Sequence, residues 1–182
     1  MQRRTILGIL AAAPLLGVRA LAATPKGDIG VKQLQDDWRA LLPAGARPPA
    51  AGERLELTDA QWKKRLTAAQ YDVLRHEGTE AAGSSPLNHE LRPGVFACAG
   101  CGLPLFSSAM KYDSGTGWPS FFTHIPGALQ TKRDFRLIWP RTEYHCARCG
   151  GHQGHVFSDG PPPTGQRWCN NGVALSFLPK EA

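Results

Sequence analysis

Residues 98–102 read CAGCG and residues 146–150 read CARCG, and these two stretches decide the fold. Each is a Cys-x-x-Cys turn followed by glycine, and an aromatic residue stands two positions before each turn. Such a turn directs two sulfurs at one point, and two turns supply the tetrahedral set of four that zinc takes in structural sites. The chain must therefore bring the two turns together. We predict one structural zinc ion held by four residues: Cys98, Cys101, Cys146 and Cys149.

Two alternatives to this metal site remain open from the sequence. The four cysteines would form two disulfides if an oxidising compartment paired them first. Alternatively, Cys149, His152 and His155 would be successive metal ligands, although two complete cysteine pairs already fill a tetrahedral shell. Four thiolates leave no position for water, so we expect this metal to support the fold and to take no part in catalysis.

The rest of the chain predicts a mainly β fold. Its 182 residues include 20 glycines and 15 prolines, a turn-rich composition that suits short strands better than a helical bundle. Val173, Leu175 and Phe177 show the two-residue period of a half-buried strand, and we expect an antiparallel sheet. The apolar runs assigned to strands lie at residues 95–97, 135–139, 142–146, 155–157 and 173–177.

Helices are predicted only before these strands, at the periphery of the sheet. Residues 31–42 place their apolar side chains on one helical face. Thr58 and Thr67 are each positioned to cap a further helix, and Gly78 is positioned to end the second of these. The prolines between the first helix and Thr58 form a linker that cannot continue a helix.

The N-terminus predicts an export signal. Arg3 and Arg4 precede an apolar run at residues 6–18, and residues 20–22 read ALA, a cleavage site before Ala23. The run is too short to span a bilayer comfortably, which disfavours a permanent anchor. The arginine pair resembles a twin-arginine signal, with an ordinary secretory signal as the alternative. The chain thus divides into an export signal at 1–22, an extension with a Pro-rich linker at 23–52, and one domain at 53–182.

The predicted destination is the bacterial periplasm, with no stable membrane insertion after signal removal. Removing residues 1–22 deletes three arginines and no acid, so the formal net charge falls from +6 to +3. The remaining basic residues are scattered among acidic ones, which argues against a nucleic-acid partner. We also expect a monomer.

The fifth cysteine, Cys169, is the thiol left over from the two pairs, and its neighbours indicate chemistry. Arg167 places a positive charge two residues away, which favours the reactive thiolate. His152 and His155 follow the second Cys-x-x-Cys turn, and a thiolate within reach of a histidine is the minimum set for nucleophilic catalysis with acid assistance. The alternative is an inert, buried cysteine.

Trp118 lies in the turn-rich sequence GWP at residues 117–119. A tryptophan there is either part of the core or an apolar wall for a small methyl-bearing ligand. The other histidines lack such a context, and we expect each of them to be exposed or locally hydrogen-bonded. These are His76, His89, His124 and His145.

An ordered series of motifs over residues 62–177 resembles the B-type methionine sulfoxide reductases, which are peptide-methionine (R)-S-oxide reductases. The series reads GTE at 78–80, CAGCG at 98–102, KYDSG at 111–115, GWPSF at 117–121, CARCG at 146–150, GHVF at 154–157 and RWC at 167–169. The resemblance implies two antiparallel sheets with a zinc site distant from the active centre. It also implies oxidised proteins or peptides as substrate and a thioredoxin-like or other thiol as reductant.

The resemblance also implies roles for individual residues. Cys169 attacks the sulfoxide sulfur and becomes a sulfenic acid, the reversible first stage of cysteine oxidation. His155, with His152 and Asn171, holds or protonates the sulfoxide oxygen. The other implied positions are Arg167 for activation of the thiolate, Trp118 for the terminal methyl and Phe157 for substrate binding.

The chain departs from the family pattern in one informative way. Thr116 stands where many members place a second, resolving cysteine, so we expect an external thiol to reduce the Cys169 sulfenic acid directly. Asn170 and Gly172 also differ from the usual residues. Two rival functions remain: a zinc-knuckle binding module without catalysis, and a cysteine hydrolase, which would require an oxyanion hole.

Overall fold

The computed structural model describes residues 30–134 and 140–181. The predicted export signal and the apolar run at 135–139 lie outside the described residues. Within the described part of the chain, no helix combines the length and apolar character needed to cross a membrane.

Short helices precede the sheets, as predicted, and their caps are local. Helix α1 spans Val31–Asp36 and continues as a 3-10 turn at Asp37–Leu41, so the predicted helix over 31–42 is two shorter pieces. Helices α2 (Asp59–Arg65) and α3 (Ala68–His76) each begin with a threonine capping box. In both, the threonine hydroxyl accepts the N–H of the glutamine three residues on, which satisfies a free backbone donor.

Nine strands follow within the described residues, and all their pairings are antiparallel. The smaller sheet has the order β2-β1-β9 and the larger sheet the order β3-β4-β8-β7-β6-β5. The predicted fold class, mainly β with two antiparallel sheets, is confirmed. The strands are β1 (Gly94–Cys98), β2 (Pro104–Ser107), β3 (Lys111–Tyr112), β4 (Ser120–Phe121), β5 (Leu129–Asp134), β6 (Arg141–Cys146), β7 (His152–Phe157), β8 (Arg167–Asn170) and β9 (Leu175–Pro179).

The predicted strand over 173–177 is wrong in its first two residues. A 3-10 turn occupies Gly172–Ala174, and β9 begins at Leu175. The carboxylate of Glu80 accepts the backbone N–H groups of Gly172 and Val173, at 2.6 and 2.8 Å. Because these donors are used by a side chain, the backbone there is not available for a strand ladder.

The core lies between the two sheets and is rich in aromatic side chains. Phe106 of β2 stacks on Phe121 of β4 with ring centroids 4.0 Å apart, and Tyr144 of β6 meets Trp168 of β8 edge to face. Each such buried ring contributes about 1.5–3 kcal/mol relative to exposure. Trp38 is also buried in this core, so part of the predicted N-terminal extension packs against the smaller sheet.

A β-bulge in β7 determines which side chains share a face of the larger sheet. Tyr144 pairs with Gly154, but His145 pairs with His152, which leaves Gln153 as an extra residue on β7. In a regular strand, residues three apart point to opposite faces. The extra residue reverses this alternation, so His152 and His155 lie on the same face.

Candidate active site

The four paired cysteines form one buried cluster between the two sheets. Cys98 and Cys101 come from the end of β1 and the turn after it, while Cys146 and Cys149 come from the end of β6 and the turn after that strand. Their ligand atoms all lie within 4.8 Å of one another. All four are free cysteines in the structure, which does not show the alternative of two disulfides.

The donor set fits a tetrahedral metal ion. The Sγ atoms of Cys98 and Cys149 are 3.7 Å apart, and those of Cys101 and Cys146 are 3.4 Å apart. Tetrahedral Zn–S bonds of about 2.3 Å place sulfurs about 3.8 Å apart, so the cluster needs only small adjustments. Hydrogen bonds among the sulfurs lower the pKa of Cys101 and raise that of Cys98, as expected when neighbouring thiols share protons. The cluster can therefore bind a metal.

Cys169 lies apart from this cluster, on β8 in the larger sheet. Cross-strand pairing places Ser120 on one side of it and His155 on the other. The same transverse row continues from His155 to Glu143 and then to Lys132. Because paired residues share a face, one row across the sheet carries a thiol, an imidazole, a carboxylate and an ammonium group.

A cavity of about 130 Å³ opens beside Cys169. It brings together five of the residues named from the sequence, namely Cys169, His155, Asn171, Trp118 and Phe157. Its remaining lining consists of Thr79, Arg141, Gly154 and Asn170. The cavity thus combines a thiol, an imidazole and two aromatic walls. Arg167 and His152, also named from the sequence, do not line it.

The ionisation of Cys169 departs from the sequence-based expectation. Burial raises the pKa of the thiol, and this outweighs the lowering by Arg167 and by a hydrogen bond with Thr116. Arg167 is itself held by Asp159 through two hydrogen bonds of 2.9 and 2.8 Å and lies over the ring of Phe157. The Arg167 guanidinium therefore lowers the pKa of Cys169, as expected, but burial has the larger effect and favours a neutral thiol.

His155 is oriented by a carboxylate. Its Nε2 lies 3.0 Å from Oδ2 of Asp134, and the same oxygen accepts a hydrogen bond of 2.7 Å from Arg141. Burial lowers the pKa of His155, partly opposed by the hydrogen bond with Asp134. The imidazole in the cavity is therefore poised to pass a proton rather than to carry a permanent charge.

His152 lies behind His155, away from the Cys169 cavity. It is 1% exposed, and its Nδ1 is 2.5 Å from Oε1 of Glu143. It lines a separate cavity of about 30 Å³ together with His155, Glu143 and Asp134. Burial lowers the pKa of His152 to about 4, despite the nearby carboxylate. The sequence placed both imidazoles beside the thiol, but in the structure His152 reaches it only through His155.

Asn171 lines the cavity, but its amide is already engaged. Its Oδ1 accepts the backbone N–H of Glu80 at 3.0 Å, and its Nδ2 donates to the carbonyl of Gln153 at 3.0 Å. The carbonyl of Glu80 also accepts the indole N–H of Trp118 at 3.2 Å. Glu80 therefore anchors Asn171 and Trp118 together and holds this wall of the cavity in place.

Sequence reasoning missed several residues that hold the site in place. Glu80 belongs to the quoted GTE sequence and was available as a signal. Asp159 lies eight positions before its partner Arg167. Opposite charges on the two sides of a predicted turn could have indicated this ion pair. No comparable local signal exists for Asp134, Arg141 and Glu143, because they meet the histidines only through sheet register.

Comparisons with known proteins identify the family of the chain. The SelR domain family matches residues 66–179. The peptide methionine sulfoxide reductase MsrB of Agrobacterium fabrum is 47% identical over 127 residues, which cover 69% of this chain and 94% of that protein. The enzyme of the same name from Thiobacillus denitrificans is 50% identical over 125 residues, covering 68% and 95%. The solved Mis18 'Yippee-like' domain has a TM-score of 0.38 at 18% identity, covering 47% of this chain and 95% of that one, which is too slight a likeness to bear on the fold. The chain therefore belongs to the SelR domain family of MsrB peptide methionine sulfoxide reductases.

Proposed function

We propose that this protein reduces methionine (R)-S-oxide in oxidised proteins or peptides to methionine. The observation that carries the proposal is the shared cavity in which Cys169 and His155 face a space walled by Trp118 and Phe157. An apolar wall suits a methyl thioether, and the thiol and imidazole suit its oxidised sulfur. A zinc-knuckle binding module has no need for a cysteine that lines a cavity beside a histidine.

The chemical step requires a thiolate and a proton at once. Cys169 sulfur attacks the sulfoxide sulfur, while the sulfoxide oxygen takes up a proton and becomes a better leaving group. Transfer of that oxygen to Cys169 gives methionine and a sulfenic acid, so the enzyme is oxidised by two electrons as the substrate is reduced. His155 receives the Cys169 proton and delivers it to the oxygen, which suits a neutral thiol beside a neutral imidazole.

Three further residues support this step. Asn171 lines the Cys169 cavity, whereas His152 and Arg167 lie outside it. The side chain of Asn171 hydrogen-bonds the backbone of Glu80 and Gln153 and so holds the cavity lining in place. Arg167 lowers the pKa of Cys169. His152 supports His155 from behind, with ring centroids 5.5 Å apart. Their roles are therefore to position and tune the two reacting groups.

The return half of the cycle uses an external thiol. The chain has five cysteines, and four of them form the buried cluster. Thr116, which hydrogen-bonds Cys169, supplies a hydroxyl where a resolving thiol would be needed. Two equivalents of a small thiol or one dithiol of thioredoxin type would return the sulfenic acid to thiol and release water.

We further propose that the four-cysteine cluster holds zinc. The ion would supply no catalytic chemistry there, because four thiolates leave it no open position. The cysteines instead join the turn after β1 to the turn after β6, which ties the two sheets together. We also propose that the protein is a periplasmic monomer exported by its first 22 residues, which cell fractionation and N-terminal sequencing would test.

The proposed activity is tested with separated epimers of a peptide methionine sulfoxide and dithiothreitol as reductant. We expect turnover of the R epimer and none of the S epimer, because the Trp118 wall and the acid lie on fixed sides of Cys169. Equal turnover of both epimers, or none of either by the metal-loaded protein, would refute the proposal. Under reductant-free conditions a dimedone adduct on Cys169 is expected after one turnover.

A further inference from the structure

A second group of side chains of the types that bind metal ions lies on the larger sheet. Glu143 and His145 are two residues apart on β6 and therefore share a face. His152 of β7 is the cross-strand partner of His145 and points to that same face. The backbone thus presents one carboxylate and two imidazoles side by side, without depending on long flexible side chains.

The donor atoms of this group converge on one point. Nδ1 of His152 is 2.5 Å from Oε1 of Glu143, and Nε2 of His145 is 3.1 Å from the same oxygen. All three ligand atoms lie within 4.8 Å of one another. Two histidines and one carboxylate with an open fourth position form a donor set that binds zinc in proteins.

Two imidazole nitrogens in this group have unmet hydrogen-bonding capacity. Nε2 of His152 is buried and finds no hydrogen-bond partner within residues 30–134 and 140–181, and Nε2 of His145, also buried, makes no well-aligned hydrogen bond despite its 3.1 Å contact with Glu143. His152 is 1% exposed, so water does not solvate its ring freely. A buried nitrogen without a well-aligned partner costs free energy, and an ion bound to Nε2 of His145 recovers part of that cost. The ion engages His152 through Nδ1, the nitrogen that faces Glu143.

The group is accessible from solvent on one side. His145 lines a surface cavity of about 390 Å³ together with Lys132, Glu77 and Gly150. The side chain of His145 is 14% exposed, whereas those of Glu143 and His152 are 4% and 1% exposed. A cation would therefore enter past His145 and meet the two buried ligands behind it.

We propose that Glu143, His145 and His152 form a second, weaker divalent transition-metal site that takes Zn²⁺. Zinc bonds to nitrogen and oxygen of about 2.0–2.2 Å require the short Glu143–His152 contact to open by less than about 1 Å. The ion replaces the proton shared by that pair. It has no sulfur ligand, which separates it from the four-cysteine cluster.

Lys132 sets the strength of this site. Its ammonium group is 3.2 Å from Oε2 of Glu143 and 2.6 Å from Oε1 of Glu77, so it already neutralises part of the local negative charge. An incoming cation meets repulsion from this ammonium. The site therefore fills after the four-cysteine cluster and at higher zinc concentration.

Occupation of the site has a consequence for turnover, and this consequence rests on the proposed function. The His152 ring is 5.5 Å, centroid to centroid, from His155, which lines the Cys169 cavity. An ion between Glu143 and His152 moves these two groups apart and so displaces the ring that packs behind the proposed proton carrier. Zinc at this site is therefore expected to inhibit.

The direct test is zinc stoichiometry of the full chain, purified without a histidine tag. Equilibrium dialysis against increasing Zn²⁺ is expected to give two ions per chain for the native protein and one for His145→Ala. His89→Ala removes an exposed histidine far from the group and should retain two. One ion per native chain, or an undiminished second ion in His145→Ala, would overturn the proposal.

Cobalt distinguishes the two sites by spectrum. The first equivalent of Co²⁺ should give intense sulfur-to-metal charge-transfer bands, and the second only weak bands of nitrogen and oxygen ligation. Lys132→Met should tighten the second site by about tenfold while leaving the first unchanged. Sulfur-type bands for both equivalents, or no effect of Lys132→Met on the second, would contradict the assignment.

Activity assays separate this proposal from the proposed function. Excess Zn²⁺ should inhibit sulfoxide reduction by the native enzyme and by His89→Ala, and should inhibit His145→Ala at least about tenfold less strongly. Two bound ions without inhibition would support the second metal site and refute the proposed inhibition of turnover by zinc. Two bound ions in a protein without reductase activity would refute only the proposed function.

Discussion

The same residue type has two different environments in this molecule. Cys98 and Cys101 are 0% and 4% exposed, and the sulfur of each lies 3.7 and 3.4 Å from the sulfur of a cysteine in the other pair. Cys169 is half-buried on an open sheet face, between Ser120 and His155. A thiol surrounded by thiols is suited to bind a metal, whereas a thiol beside an imidazole in a cavity is suited to act as a nucleophile. The difference lies in the neighbours that the sheets bring to each sulfur.

The two regions are also physically connected, through the bulge residue of β7. The side-chain amide of Gln153 donates a hydrogen bond of 3.4 Å to Sγ of Cys98. The backbone carbonyl of the same residue accepts N–H groups from the backbone and the side chain of Asn171. The cysteine cluster therefore anchors β7, the strand that carries His155 and pairs with the strand of Cys169. Loss of the cluster should therefore disturb the Cys169 cavity.

The largest effect is expected when the cluster itself is broken. Cys101→Ser removes one of four sulfurs and leaves a buried, incomplete donor set, so metal binding and the fold should fail together. Structural zinc binding is worth about 10–16 kcal/mol in small domains, and we expect a loss of at least about 5 kcal/mol here. Urea unfolding and metal analysis measure it. A variant with native stability and no metal would show that the cluster is dispensable for folding.

The second effect concerns chemistry alone. Cys169→Ser should lower reductase turnover by at least about a thousandfold, since a hydroxyl is a poor nucleophile toward sulfur. Because Cys169 is half-buried on β8 and is not one of the four clustered cysteines, the variant should keep its circular dichroism spectrum and its metal content. Retention of normal turnover would place the nucleophile elsewhere and remove the contrast between the two regions.

The sequence predicted this partition of sulfurs because a Cys-x-x-Cys turn is local chemistry. The threonine capping boxes at Thr58 and Thr67 were predictable for the same reason, since every partner lies within three residues. The family resemblance supplied the two-sheet architecture. These features depend on residues close in sequence or on a long series of motifs. Both can be recognised without knowing how the strands pair.

The rest of the site depends on register, which the sequence does not display. A spacing of three residues would put His152 and His155 on opposite faces of a regular strand, and only the bulge at Gln153 brings them together. Glu143 meets both rings from the neighbouring strand. His145, expected to be a histidine without function, faces the same carboxylate for this reason. A bulge has no clear local sequence signal, so these contacts were beyond prediction.

The third effect is a loss of stability in mild acid, caused by His152. Its pKa is about 4 in the folded protein and about 6.5 when unfolded, so the unfolded state binds more protons between these values. Stability should therefore be complete above about pH 6.5 and decline as the pH falls toward 4, by about 3 kcal/mol in all. Urea unfolding at several pH values measures this slope. His152→Asn should flatten it, and an unchanged slope would assign acid sensitivity to other groups.

The smallest effect concerns the reactivity of Cys169, whose pKa is set by opposing influences of burial and of neighbouring groups. Burial raises it, while Arg167 and Thr116 lower it, so the rate of iodoacetamide alkylation should rise with pH beyond the range of an ordinary thiol. Arg167→Gln and Thr116→Val each remove a lowering contribution. We expect each variant to react about three- to tenfold more slowly at pH 8, with the same rate as the native protein once the thiol is fully ionised.

Asp159 provides the matched control for this last prediction, because its charge raises the pKa of Cys169 whereas that of Arg167 lowers it. Asp159→Asn disturbs the same ion pair as Arg167→Gln, yet it should accelerate alkylation at pH 8 instead of slowing it. Opposite shifts from the two halves of one pair can arise only from charge. If both variants shift the rate in the same direction, access to the thiol rather than its ionisation controls reactivity, and the half-buried position of Cys169 becomes the feature that distinguishes it from the cluster.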